Sequence, residues 1–191
     1  MKNTTKNPTI IFNDMDTDGR LAELILYVSK KCQGHTEFGA TKLNKILWFS
    51  DFLAYQRFGK PITGSEYMKL EHGPAPRRLL PVREKLIKKD KRASLQNLAV
   101  LGGTQQRLIA IDDPDLNNFS AGEIDLVNEI INLFKDVTAV IISEVSHNRI
   151  WRIAGDEESI PYEAVFVSDD NPTEFDTMRA QELIAEHVWD V

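Results

Sequence analysis

Thr41–Pro76, TKLNKILWFSDFLAYQRFGKPITGSEYMKLEHGPAP, divides into a helix and a rigid turn. Thr41 is the expected N-cap, because its hydroxyl can accept a hydrogen bond from a first-turn amide. Leu43, Ile46, Leu47, Leu53 and Ala54 recur at three- and four-residue spacings, which places them on one apolar stripe of a helix. Gly59 tolerates the left-handed backbone that ends a helix, and Pro61 blocks its resumption. Beyond Ile62 the residues become β-branched and aromatic, so Tyr67-Met68-Lys69-Leu70 predicts one short strand. His72-Gly73-Pro74-Ala75-Pro76 then predicts a stiff corner, since two prolines fix φ and a glycine frees it.

Upstream, residues 1–17 read as a flexible extension tethered only by Ile10, Ile11 and Phe12. Asp14-Met15-Asp16-Thr17-Asp18-Gly19 matches the first half of a calcium loop, but Ile25 stands where the chelating glutamate belongs. Helix capping by Asp18 is the favoured role, ahead of a helix carrying Leu21, Leu24, Ile25 and Val28 to about Cys32.

Downstream, Arg78 to Lys91 predicts a basic amphipathic helix around Leu79, Val82, Leu86 and Ile87, with Pro81 tolerated in its first turn. Leu98-Ala99-Val100 and Leu108-Ile109-Ala110-Ile111 flank Gly102-Gly103, which predicts a hairpin able to pair with the Tyr67 strand. Ser120 and Glu123 fit a capping box, and Phe119 with Ile124 a hydrophobic staple, opening a helix that carries Val127, Ile130, Ile131 and Phe134. A shorter helix, about Thr138 to His147, is expected to turn Ile141, Ile142 and Val145 inward. Ile160 to Phe166 reads as extended or turn-like. A last helix is expected over residues 173–188, with Phe175, Met178, Leu183 and Ile184 on one side. The fold class expected is α+β, mainly α: a helical domain spanning residues 18–191 with a small antiparallel sheet or hairpin.

Composition narrows the classes. The chain has 191 residues, 42% hydrophobic and 27% charged, which is ordinary globular usage. A chain of this length buries roughly 70% of its unfolded surface, so metals and disulfides are not needed as staples. Its one cysteine, Cys32, cannot form an internal disulfide and fits a reducing, cytoplasmic setting. No apolar run reaches membrane-spanning length, and the N-terminus lacks a signal-peptide core. A net charge of −6 argues against general nucleic-acid affinity. The charge is uneven: eight bases stand against two acids over residues 77–92, and eleven acids against Arg179 over residues 153–191. Two solvated faces explain this most simply, with docking of a charged partner as the sharper alternative.

No phosphate-binding glycine loop occurs, and Gly64-Ser65-Glu66 lacks the glycine spacing of a nucleophile elbow. Cys32 on its apolar stripe reads as a structural thiol. Glu144-x-x-His147 has the spacing of half a di-iron site, but no second copy exists, so it reads as structural. His72 lies between Glu71 and the Gly-Pro corner and is expected to orient that turn. Trp48, Phe49 and Phe52 are balanced between core and an exposed aromatic patch. The basic run lacks the interleaved aromatics of single-strand binders, and no recognition helix follows a short glycine turn. No cofactor or metal is implied.

Lys42-Leu43-Asn44-Lys45-Ile46-Leu47-Trp48-Phe49-Ser50-Asp51, Gly59-Lys60-Pro61-Ile62-Thr63-Gly64 and Tyr67-Met68-Lys69-Leu70-Glu71-His72-Gly73-Pro74 together resemble the Panacea, or SocA-like, antitoxin domain. A distal block, Ile142 to His147 with Trp151 and Ile160-Pro161-Tyr162-Glu163, is similar to the same family. The departures are mild: Trp48 where tyrosine is usual and Ala75 where valine is common. The resemblance implies a non-enzymatic antitoxin, found also on phage and other mobile elements, whose partner is a toxin encoded nearby. The partner-binding candidates are Trp48, Tyr55, Tyr67, His72, Arg77 and Arg78. Gly73, Pro74, Glu144, His147 and Trp151 are the structural motif. A homo-oligomer is compatible with this reading. Two rivals are a hydrolase using His72 with Glu66 or Glu71, which requires a concave pocket at His72, and a regulatory DNA-associated protein using the basic helix.

Overall fold

The computed structural model describes residues 15–100, 103–147, 149–167 and Met178. The expected helix over residues 173–188 and most of the N-terminal extension lie outside the described residues.

Helix α1, Thr17–Lys31, is capped by Asp16 and not by Asp18: the Gly19 amide donates to Asp16 Oδ1 at 3.1 Å. Asp18, one residue inside the helix, instead accepts from Arg78. The 33–39 loop that follows is gathered by Arg107, whose guanidinium donates to the carbonyls of Phe38 and His35 at 2.8 Å and of Thr36 at 2.9 Å.

Helix α2, Ala40–Phe58, starts one residue before Thr41, with Gly39 as an N-cap that makes no side-chain bond. It ends at Gly59, whose φ of 73° returns an amide to Tyr55 O. Leu43, Ile46, Leu47 and Ala54 are buried as the periodicity requires. Trp48 and Phe52 are buried too, so they are core and not a surface patch. A helix apolar on most of its circumference must lie inside the fold. α2 accordingly packs against α1 on one side and against α4 and α5 on others.

Strand β1, Tyr67–Met68, is shorter than the sequence suggests. It pairs antiparallel with β2, Ala75–Pro76, and with β5, Ser159–Ile160. The Gly-Pro corner is therefore the turn of a hairpin, and Gly73, at φ 92°, closes it by donating to Leu70 O at 2.9 Å. Strands β3, Ala93–Val100, and β4, Gly103–Ala110, form a separate two-stranded sheet; they do not join Tyr67. Between these sheets, α3, Leu79–Glu84, widens into one turn of π-helix at Lys85–Lys89, where Asp90 N donates to Lys85 O at 2.9 Å. The single regular helix expected from Arg78 to Lys91 is thus broken in pitch, yet Leu79, Val82 and Leu86 still face inward.

Helix α4, Ala121–Phe134, carries the capping box at Ser120 and Glu123. Phe119 and Ile124 both pack at the edge of the core. Helix α5, Ala139–Ser146, is capped by Thr138. Only Ile142 among its three expected core residues is buried. Ile141 and Val145 are exposed because α5 packs on α2 by one narrow face. A short α6, Arg149–Ile153, and a 3₁₀ turn, Tyr162–Phe166, complete the described chain.

Two clusters make the core. The larger joins α1, α2, α4, α3 and the β3–β4 sheet. The smaller is aromatic: Trp48, Phe52, Tyr67 and Tyr162, with Ile150 and Ile160. Its rings meet at tilted or edge-on angles with centroids 4.9–6.2 Å apart, within the range where such pairs attract. The fold is α+β and mainly α, with small antiparallel sheets.

Candidate functional site

The Gly-Pro hairpin, the first turns of α2 and the α6–β5 connection enclose an open concavity of about 680 Å³. His72, Glu71 and Lys69 come from the hairpin, Asn44 and Lys45 from α2, and Trp151 from α6. Trp151 is anchored by donating to Leu70 O at 3.1 Å. Its indole carries Lys69 Nζ at 4.3 Å from the ring centroid and stacks on His147 at 4.2 Å. The distal block of sequence therefore folds onto the central one at the hairpin.

Lys45 forms the floor. It is 1% exposed, and among the described residues its one hydrogen bond is a long 3.3 Å donation to Pro74 O. Burial pushes its pKa down to about 7, with no carboxylate opposing the shift. The other buried lysine of α2 differs: Lys42 donates to Lys135 O at 3.1 Å, closing the carbonyl end of α4 where a cation is favoured. Burial, then the Lys45 charge, lowers the pKa of His147, whose Nε2 has no hydrogen-bond partner among the described residues. Asn44 Oδ1 is likewise buried and unpaired. At the rim, Glu157 holds a left-handed backbone, φ 61°, while its amide donates to Lys69 O at 3.0 Å.

Beneath the aromatic cluster lies Asp51, fully buried. It accepts from the Thr63 amide at 2.6 Å, from the Thr63 hydroxyl and from Tyr67 Oη at 2.8 Å. Burial raises its pKa to about 6, against the opposing pull of these hydrogen bonds. Cys32 is buried as expected, and burial pushes its thiol up to about 11.

The six candidate partner residues separate. Tyr67 and Trp48 are core side chains, so a partner can feel them only through the groups they support. His72 is exposed on the concavity. Arg77 is exposed nearby, held by Glu66 at 3.0 Å and by the carbonyl of Glu157 at 3.1 Å. Arg78 is tied to Asp18 on α1. Tyr55 lies about 15 Å further along α2 than Lys45, beside Tyr162, Glu163 and Phe166. Of the structural set, Gly73 and Pro74 shape the corner, His147 and Trp151 stack, and Glu144 is exposed.

Lys45, Asn44 and Asp51 were not singled out from the sequence. A usable signal was present: a helix with Trp48, Phe49 and Phe52 outside its apolar stripe is buried nearly all round, so its lysines and aspartate must be buried with it. The basic run is largely spent on internal pairs. Arg77, Arg78, Lys85, Lys88 and Arg92 each meet a carboxylate within 3.4 Å or less.

The chain belongs to the SocA-like antitoxin, Panacea domain family, whose model matches residues 43–152. No curated protein and no solved structure matches the chain significantly. No helix among the described residues is long and apolar enough to cross a membrane.

Proposed function

We propose that this protein is a non-enzymatic antitoxin that neutralises a toxin encoded beside it by binding and covering the toxin's working surface. The observation that supports this best is the family match over residues 43–152, which takes in the Asn44, Lys45, Lys69–Gly73 and Trp151 walls of the concavity. His72 and Arg77 stand exposed on a hairpin closed by a glycine and stiffened by two prolines, so a partner meets them with little loss of conformational freedom. A specific interface of this kind buries on the order of 1,600 Å² in total. The partner surface is centred on His72, Arg77 and the concavity, with Arg78 at its edge and Tyr55 outside it.

Co-expression with the product of the adjacent reading frame tests this. Growth inhibition by that product alone, relieved by this chain in a stable complex, is the expected result. Joint replacement of His72, Arg77 and Arg78 by alanine is expected to remove relief while the protein stays folded; retained relief overturns the surface assignment.

A hydrolytic role is the second reading, because the concavity it required at His72 is present. Among the described residues no hydrogen bond joins His72 to Glu66 or Glu71, and Glu66 is engaged by Arg77 and Ser159. Stoichiometry separates the readings. Binding neutralises toxin at a fixed molar ratio, whereas hydrolysis does so with the chain in large deficit.

A further inference from the structure

We propose that the Lys45 concavity is a receptor for a carboxylate side chain on a protruding segment of the toxin, so that one glutamate or aspartate of the partner completes the coordination of a buried lysine. This rests on the antitoxin reading for the identity of the partner, but the chemistry stands on the site itself.

Lys45 carries three N–H donors and, among the described residues, uses one, on a carbonyl 3.3 Å away. Groups buried this deeply are normally satisfied, and a buried cation is normally paired. No acidic side chain of the described residues pairs with it within 4.0 Å, although nine other cationic side chains among them meet a carboxylate. The neighbouring residue, Asn44, offers an unpaired acceptor to the same concavity. An acidic residue supplies the matching set: a carboxylate for Lys45 and a backbone N–H for Asn44. Gly73 makes room for the ammonium itself, since a side chain there would occupy the space that Lys45 Nζ and Ser146 Oγ fill. The left-handed Glu157 at the rim is a second mark of a shaped site, since such a backbone costs energy at a non-glycine residue. The rim mixes Lys69 and His72 with Glu71, Asp156 and Glu157, which suits a solvated polypeptide crossing it more than a compact multivalent anion.

The test has two arms. In the first, Lys45→Met is compared with wild type for binding of the adjacent frame's product. A loss of about 30-fold or more is expected, as for truncation of one partner in a buried charge pair. Lys42→Met, which removes only the cap on α4, is the control expected to leave affinity unchanged. Unaltered affinity in a folded Lys45→Met protein overturns the proposal and leaves the antitoxin reading standing. In the second arm, full-length protein labelled with ¹³C-lysine is titrated with N-acetylglutamyl amide, with its glutaminyl counterpart and with N-acetylglycine. The Lys45 Cε resonance is expected to move with the glutamyl compound and not with the glutaminyl one. Movement with both, or with neither, overturns carboxylate recognition. A stronger response to N-acetylglycine overturns the side-chain source in favour of a chain end. This arm needs no toxin, so it decides the site even if the adjacent product proves harmless, and it decides it if Lys45→Met fails to fold.

Discussion

The ammonium of Lys45 occupies the space that a Cβ on Gly73 would need, and the hydroxyl of Ser146 closes the other side of it. Three segments separated by up to a hundred residues thus meet at one backbone atom. Gly73→Ala carries both the left-handed strain of φ 92° and this overlap. Gly59→Ala carries the strain alone, since nothing lies within 4 Å of its added carbon. Urea denaturation is expected to show a loss of about 1 kcal/mol for Gly59→Ala and roughly 2–4 kcal/mol for Gly73→Ala. Equal losses would show that the lysine and serine simply move aside.

Lys45 makes stability depend on pH in a definite sense. Its pKa in the folded protein is about 7, below the ordinary lysine value near 10.4, so the unfolded chain binds more protons between those limits. The Lys45 contribution to stability therefore rises with pH from about 7 to about 10. Lys45→Met is expected to be at least as stable as wild type at pH 7, and its relative advantage to shrink as pH rises, on the order of a few kcal/mol across the window. A stability difference that is flat with pH would contradict this.

Asp51 titrates in the opposite sense. Its folded pKa of about 6 lies above the ordinary aspartate value near 3.9, so the folded state holds the proton more tightly between them. Its contribution to stability is full below about pH 4 and falls as pH rises to about 6. Asp51→Asn offers an amide where Thr63 and Tyr67 already donate, and is expected to cost roughly 1–3 kcal/mol. That deficit should be largest near pH 4 and level off above pH 6; chemical denaturation from pH 4 to 8 reads it.

Arg107 is 9% exposed and organises the loop between α1 and α2 through carbonyls alone. Arg107→Met takes its donor from the Phe38 carbonyl and one of two donors from those of His35 and Thr36, and is expected to destabilise the protein by about 1–3 kcal/mol. Hydrogen exchange should accelerate first at the amides of His35 and Phe38, which turn within that loop. Unchanged exchange there would mean that the loop holds itself.

Local chemistry was legible from sequence wherever it acts within a few residues. The Gly59 stop and the Ser120–Glu123 capping box depend on neighbours along the chain, and both are found. The cap falls on Asp16 and not Asp18 because an aspartate-rich run offers several acceptors and Arg78 engages Asp18. The pitch change at Lys85–Lys89 and the exposed face of α5 were not legible, because both follow from what packs against those helices.

The sequence by itself determined the helical α+β class and the stiff corner at Gly73-Pro74, because residue spacing and backbone restriction act along the chain, and its motifs carried the family resemblance. Only the tertiary structure decided that Trp48 and Tyr67 are core, that Lys45 is buried with no carboxylate of the described residues against it, and that Trp151 walls the same concavity. The physical reason is that burial and pairing are set by atoms brought from distant parts of the chain, so a side chain's charge state and reach are properties of the fold.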